Sequence, residues 1–458
     1  MAIATINPAT GKVERSFDAH DEREVDRRIA EVHSAFRALS DTSFAERAGW
    51  MKSAADALET DVDQAARLLT LEMGKTITQA RAEVLKSAKT MRFYAEHAEE
   101  FLSGRALPDP AEVDASAAYT RYEPMGVVLA VMPWNYPIWQ VVRFAAPALM
   151  AGNAGLLKHA SNVPQAALYL DTLFEKGGFP AGSFRSLLIP ASGVERVARD
   201  PRVVAMTLTG SEPAGRSLAA IAGSEVKHVV LELGGSDPFI VTPSADLDRA
   251  VATAVAARTT NNGQACINAK RFIVYADVYD AFLERFTAAM AGLVMGDPMS
   301  EETEIGPLAT ESGRSEIEEL VEDARSKGAT ITTGGTTPQG PGWFYPPTVI
   351  TDVTPAMRLY AEEAFGPVAA VYRVADRDEA LAVANSTTFG LSSAVWTQDP
   401  EDEQFFIERL QAGAVFVNGM SISYPQLPFG GVKDSGVGRE LSAEGIREFC
   451  NLKSVWRG

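Results

Sequence analysis

Between Asp21 and Phe101 apolar residues recur at helical spacing, as in Ala65, Leu68, Leu69 and Met73 ahead of Gly74, which predicts a run of amphipathic helices. Pro108 and Pro110 break that pattern. From Tyr119 to Met132 apolar positions alternate and then run together, predicting a hairpin with its turn at Pro124-Met125-Gly126. Between Ala154 and Leu233 short apolar runs (Gly155 to Leu157, Ser186 to Ile189, Val203 to Leu208, Val229 to Leu233) alternate with helix-like stretches. One helix is expected near Ser161-Asn162 with Pro164 in its first turn, and another near Ser192 with Glu195 in capping-box position. This alternation implies right-handed βαβ units around a parallel sheet, a Rossmann-like half. After Val251 a second α/β stretch follows, with apolar runs at 272–275, 368–372, 393–396 and 414–417. The segment from Asn451 to Trp456 reads as a strand with no sequential neighbour. It completes either another subunit's sheet or its own domain.

With 458 residues the chain is expected to hold two or three structural units. Its formal charge of −18 argues against nucleic acid or an anionic membrane as a partner, since both would repel it. The N-terminus has no basic, apolar leader pattern, and no run approaches the ~20 apolar residues of a membrane span. Two cysteines far apart, Cys266 and Cys450, fit a reducing compartment, and the expected location is cytoplasmic.

Candidate chemistry sits at a few points. Cys266, in Asn262-Gly263-Gln264-Ala265-Cys266, is either a small buried apolar residue or a nucleophile, and its polar flank favours the second reading. Glu232 closes an apolar run ahead of Gly234-Gly235, where open α/β sheets place ligands. It is either a general base or a turn-capping carboxylate. Asn135, in Pro133-Trp134-Asn135-Tyr136-Pro137, is an oxyanion donor or part of a simple turn. Lys158 is a surface lysine or a hydroxyl and phosphate ligand. Thr209-Gly210-Ser211 is a helix cap or an anion site for a cofactor pyrophosphate. The five histidines lack ligand spacing, so no metal site is expected.

Taken together, the chain resembles the NAD(P)-dependent aldehyde dehydrogenase superfamily over essentially its whole length. The motifs are Pro133-Trp134-Asn135, Leu157-Lys158, Thr209-Gly210-Ser211, Glu232-Leu233-Gly234-Gly235, Gly263-Gln264-Ala265-Cys266, Glu362-Glu363-Ala364-Phe365-Gly366-Pro367 and Pro428-Phe429-Gly430-Gly431. Met132-Pro133-Trp134-Asn135, Lys158-His159-Ala160 and Gly234-Gly235-Ser236-Asp237-Pro238 look closest to bacterial succinate-semialdehyde dehydrogenases. The resemblance implies an α/β fold with a Rossmann-type cofactor domain (1–112 and 132–232) and an α/β catalytic domain (233–439). A β oligomerisation extension (113–131 and 440–458) would build a homodimer or a dimer of dimers.

The resemblance also implies roles: Cys266 as nucleophile, Asn135 as oxyanion donor and Glu232 as the base that activates water. Lys158 would bind the adenosine ribose, and Gly210 and Ser211 would lie near the pyrophosphate. Leu233, Glu363 and Phe365 would surround the nicotinamide and its ribose, and Trp134 would line the cleft. Many NAD-preferring relatives carry a glutamate three residues after the lysine. Here that residue is Ser161, which can donate to a 2′-phosphate, so NADP is expected over NAD, with NAD still possible. Arg143 and Ser423 look like positions that bind a distal carboxylate, so replacing Arg143 is expected to raise KM for succinate semialdehyde more than for an uncharged aldehyde. A second arginine found in some relatives is Thr260 here. Asn268 stands where some relatives carry a second cysteine, so no local redox switch is expected. The implied reaction is oxidation of succinate semialdehyde to succinate. The alternatives are a dehydrogenase for another small or uncharged aldehyde, an acylating enzyme, which would not need Glu232, or a non-catalytic homologue.

Overall fold

The βαβ rhythm in the middle of the chain builds a six-stranded sheet in the order Gly436–Val437, His228–Glu232, Val203–Thr209, Val127–Met132, Ala154–His159, Phe184–Ser186. The structure, a computed structural model, describes residues 3–458. All neighbouring pairs in this sheet are parallel except the short Gly436–Val437 edge, which runs antiparallel to His228–Glu232. The strands therefore end on one side, and Pro133, Lys158, Thr209 and Glu232 emerge together along a single carboxyl edge. That edge is where an open parallel sheet presents its ligand crevice.

The second half forms a seven-stranded sheet in the order Thr330–Thr333, Thr348–Thr351, Val368–Val374, Ala269–Tyr275, Asp237–Val241, Ser393–Trp396, Val415–Val417. Ala269–Tyr275 is its central strand and is buried throughout. Cys266 lies just before that strand, and Glu363 and Phe365 lie just before the neighbouring strand Val368–Val374. The amino edge of this sheet thus meets the carboxyl edge of the first.

Helices wall the junction. Ile77–Phe101 starts at Thr76, whose side chain accepts from the Gln79 amide, and buries Val84, Ala88, Met91, Tyr94 and Ala98. It packs against Trp139–Ala151, whose residues are all buried and whose own cap residue, Ile138, makes no side-chain cap bond. Glu83, on the long helix, takes over that function. Its Oε1 accepts from the Ile138 and Trp139 amides at 2.9 and 3.0 Å, placing negative charge at the positive end of the helix.

Several expectations need correction. Residues 119–132 do not form a hairpin. Ala117–Pro124 pairs antiparallel with the C-terminal strand Cys450–Arg457, and Val127–Met132 enters the six-stranded sheet. The reason is burial: Val127–Met132 is buried on both faces, as a central parallel strand must be, whereas Ala117–Pro124 is half-exposed. The C-terminal strand therefore docks on its own chain, with Leu452 and Trp456 exposed. Glu195 forms no capping box. The helix Val194–Arg199 has Gly193 as its cap, and Glu195 instead pairs with Arg199 at 2.8 Å. An N-terminal hairpin, Ile3–Asn7 with Lys12–Phe17, precedes the helices that the pattern predicted.

Candidate active site

The loop that carries Cys266 is held by its polar residues. Asn261 and Asn262 adopt left-handed backbone (φ 58° and 56°), a conformation asparagine tolerates better than most residues. Gly263 follows at φ 76°, and a Cβ there would lie 2.4 Å from the Gly366 carbonyl carbon, so only glycine fits. The Asn262 side chain donates to the Gly74 and Pro307 carbonyls (2.9 and 3.0 Å) and accepts from the Gly306 amide at 2.9 Å. Asn261 Nδ2 donates to the Asn135 and Gln264 carbonyls at 2.9 and 3.0 Å. The polarity that marks this segment in the sequence is therefore scaffolding, which fixes the thiol without reacting itself. Asn268 has the same role, accepting from the Ala265 amide at 2.7 Å.

Cys266 is half-buried and is the residue common to the linings of two compartments. The first is a cleft of about 280 Å³ that brings Cys266 together with Trp134, Asn135, Gly210, Ser211, Leu233, Glu363 and Phe365. Trp134 and Phe365 meet edge to face across it at 5.6 Å. The second is a pocket of about 110 Å³ that joins Cys266 to Arg143 and Ser423. Burial pushes the thiol up to about 12, with Arg143 and Lys270 pulling it down and Glu363 and Glu232 pushing it up.

Asn135 is buried, and its Nδ2 donates to the Gln264 carbonyl at 3.1 Å, while its second amide proton has no partner among the described residues. Glu232 is buried at the end of its strand, and neither carboxylate oxygen has a hydrogen-bond partner among the described residues. Burial, reinforced by the Glu440 carboxylate, raises its pKa well above the usual carboxylate range. Gly430 closes over it at φ 154°, where a Cβ would stand 2.7 Å from Glu232 Oε1. The glycine of Pro428-Phe429-Gly430-Gly431 thus leaves room for the carboxylate.

The first cleft suits a dinucleotide. Ser211, the cap residue of Glu212–Ser224, makes no side-chain cap bond and lines the cleft with Gly210, so the start of this helix stands at the cleft wall. Lys158 and Ser161 lie outside both compartments but on the same sheet edge. Lys158 is buried beside Val131, and its pKa is lowered by that burial. Ser161 is half-buried, and its carbonyl accepts from the Ala4 amide at 3.1 Å.

Arg143 is brought to the pocket, but its charge is already committed. Its Nε forms an ion pair with Glu440, Nη2 donates to Thr209 Oγ1 at 3.3 Å, and the guanidinium lies 4.7 Å from the Phe429 ring centroid. Arg143 therefore enters the pocket already paired with a buried carboxyl, whose own pKa burial raises. Removing it would strand Glu440 in a buried site. Arg143→Ala is expected to cost ~3–5 kcal/mol of stability, measurable as a shift in the urea unfolding midpoint; unchanged stability would contradict the pairing.

Three site residues were not found in the sequence. Lys270 Nζ bonds Glu363 Oε1 at 2.9 Å and the Cys266 carbonyl at 2.6 Å, tying the Cys266 loop to the wall of the first cleft. Lys270 lies on the buried strand Ala269–Tyr275 just ahead of the apolar run 272–275, and that closeness was a legible signal for it. Glu440 and Lys86, the third, gave none, because each is brought to the site only by tertiary packing.

The sequence matches the Aldehyde dehydrogenase family over residues 1–455. It is 62% identical over 456 residues, covering 100% of both chains, to succinate-semialdehyde dehydrogenase [NADP(+)] 1 of Mycobacterium tuberculosis (strain ATCC 25618 / H37Rv). It is 60% identical over 459 residues, again with 100% coverage of both, to the protein of the same name from Mycobacterium ulcerans (strain Agy99). Its structure superposes with a TM-score of 0.96 on succinic semialdehyde dehydrogenase from Streptococcus pyogenes in complex with NADP+, at 36% identity and 99% coverage of both chains.

Proposed function

The chain belongs to the aldehyde dehydrogenase family, and from that premise we propose that it oxidises succinate semialdehyde to succinate with NADP preferred over NAD. The observation that carries the reading is the position of Cys266, on the boundary between a cofactor-sized cleft and a small pocket with cationic and hydroxyl groups. The names of the curated relatives support the same substrate and cofactor.

In this reading the Cys266 thiol passes its proton to water as Sγ adds to the aldehyde carbon, and the carbonyl electron pair moves onto oxygen. The oxyanion accepts hydrogen bonds from Asn135 Nδ2 and the Cys266 backbone amide. Cofactor bound along the first cleft supplies the hydride acceptor, with Gly210, Ser211, Leu233, Glu363, Phe365 and Trp134 holding it. Loss of hydride leaves an acyl group on Cys266. Glu232, neutral until its raised pKa is passed, takes a proton from water as that water attacks the thioester carbon. The acid departs and the sulfur is restored.

Lys158 and Ser161 support NADP, because an ammonium and a hydroxyl favour a 2′-phosphate that a carboxylate would repel. The test is a small panel of aldehydes assayed with both cofactors. The highest kcat/KM is expected for succinate semialdehyde with NADP, and a higher value with NAD would overturn the cofactor reading. Ser161→Glu is expected to lower kcat/KM for NADP by about 100-fold while changing that for NAD much less.

No helix among the described residues is long and apolar enough to cross a membrane. A cytoplasmic enzyme fits the two free cysteines. The exposed ribbon of Ala117–Pro124 and Cys450–Arg457, carrying Leu452 and Trp456 outward, favours a homodimer or a dimer of dimers.

A further inference from the structure

The small pocket beyond Cys266 is lined by two cationic side chains, and among the described residues only one of them makes no ion pair. Arg143 is paired with Glu440. The other is Lys86, on the long helix Ile77–Phe101 and half-buried at the pocket wall. Its Nζ donates to Ser423 Oγ at 2.7 Å and lies 4.0 Å from the Trp139 ring centroid.

The charged groups around Lys86 leave it uncompensated. On its own helix the nearest carboxylate is Glu83, one turn earlier. Glu83 already pairs with Lys75 through one oxygen and caps Trp139–Ala151 through the other. From Trp139–Ala151 it faces Arg143, a like charge, and from the nucleophile loop the Cys266 thiol. From the segment 420–423 it meets the uncharged hydroxyl of Ser423, and Ser421 lines the same pocket. Among the described residues Lys86 makes no ion pair.

We propose that Lys86, together with the Ser423 hydroxyl it holds, receives the distal carboxylate of the substrate. This rests on the reading of the substrate as an aldehyde with a distal carboxylate. An ammonium has three protons. One is used on Ser423, and the others remain for the carboxylate. Because Ser423 Oγ accepts from Lys86, its own proton is free to be donated to the same anion. A carboxylate entering a partly desolvated pocket gains more from an unpaired cation than from one already ion-paired. Lys86 thus supplies the charge that Thr260 does not.

A second consequence is dependence on pH. Burial, and then the like charge of Arg143, hold Lys86 down at about 7. The carboxylate binds the protonated form, so KM for succinate semialdehyde should rise as pH climbs through neutrality. Butanal, which has the same carbon chain without the carboxylate, should show no such rise.

The experiment compares wild type, Lys86→Met and Lys86→Arg on succinate semialdehyde and butanal across neutral pH. Lys86→Met is expected to raise KM for succinate semialdehyde about 10- to 100-fold and to move the butanal KM far less. Lys86→Arg should retain most of the preference but lose its pH dependence, since arginine stays charged. Equal losses on both aldehydes, or a preference that survives Lys86→Met, would overturn the assignment of Lys86 alone. A wild-type enzyme with no preference for the carboxylated aldehyde would overturn the substrate reading and this inference together.

Discussion

Replacing Cys266 by alanine is expected to lower turnover on the order of 10⁴- to 10⁶-fold while the protein still folds and binds dinucleotide. The expectation follows from position. Hydroxyls are available on Thr209 and Ser211 in the cofactor cleft and on Ser421 and Ser423 in the small pocket, but each lines one compartment only. Cys266 lines both, so its sulfur alone can hold a substrate carbon in one compartment while hydride leaves into the other. Serine at this position should be almost as inactive, because a hydroxyl is far harder to deprotonate than a thiol. The check is NADPH formation by absorbance, with cofactor binding followed separately by fluorescence. Substantial turnover with tight cofactor binding would contradict the role.

Replacing Glu232 by glutamine is expected to separate the two halves of the reaction. Hydride loss needs no water, so a burst of NADPH should survive, while steady-state turnover falls by about 10²- to 10⁴-fold. The sign of the pH effect follows from the raised pKa of Glu232. A protonated base cannot take a proton from water, so in the wild type hydrolysis should speed up as pH rises through that pKa and level off above it. In the glutamine variant this limb should vanish. Stopped-flow NADPH traces across the pH range supply both readouts, and a linear trace without a burst would contradict the assignment.

How far the sequence disclosed this site depended on what each residue needed. Strand ends were legible because an apolar run that stops at a polar or glycine residue marks the edge of a buried strand, and Glu232 and Thr209 stand at such stops. The pairing of those strands was less legible. Val127–Met132 and Ala117–Pro124 adjoin in sequence and read as a hairpin, yet they belong to different sheets. Local pattern cannot tell a turn that pairs its arms from one that parts them.

Charge was the least legible property. Arg143 resembles a carboxylate ligand by position, but its function depends on Glu440, nearly three hundred residues away along the chain. Lys86 sits on a helix surface pattern that reads as ordinary solvent exposure. That it makes no ion pair among the described residues is visible only once Glu83 is seen to be occupied by Lys75 and a helix terminus. Ion pairing is a tertiary fact, and so is its absence.

The account stands on an acyl group carried by the sulfur of Cys266. The most direct measurement is to mix the Glu232→Gln enzyme with succinate semialdehyde and NADP, quench in acid, digest, and weigh the peptides. The account predicts the mass of a single succinyl group on the peptide containing Cys266 and on no other. An unmodified Cys266 peptide after a full burst, or an adduct on a different residue, would contradict it.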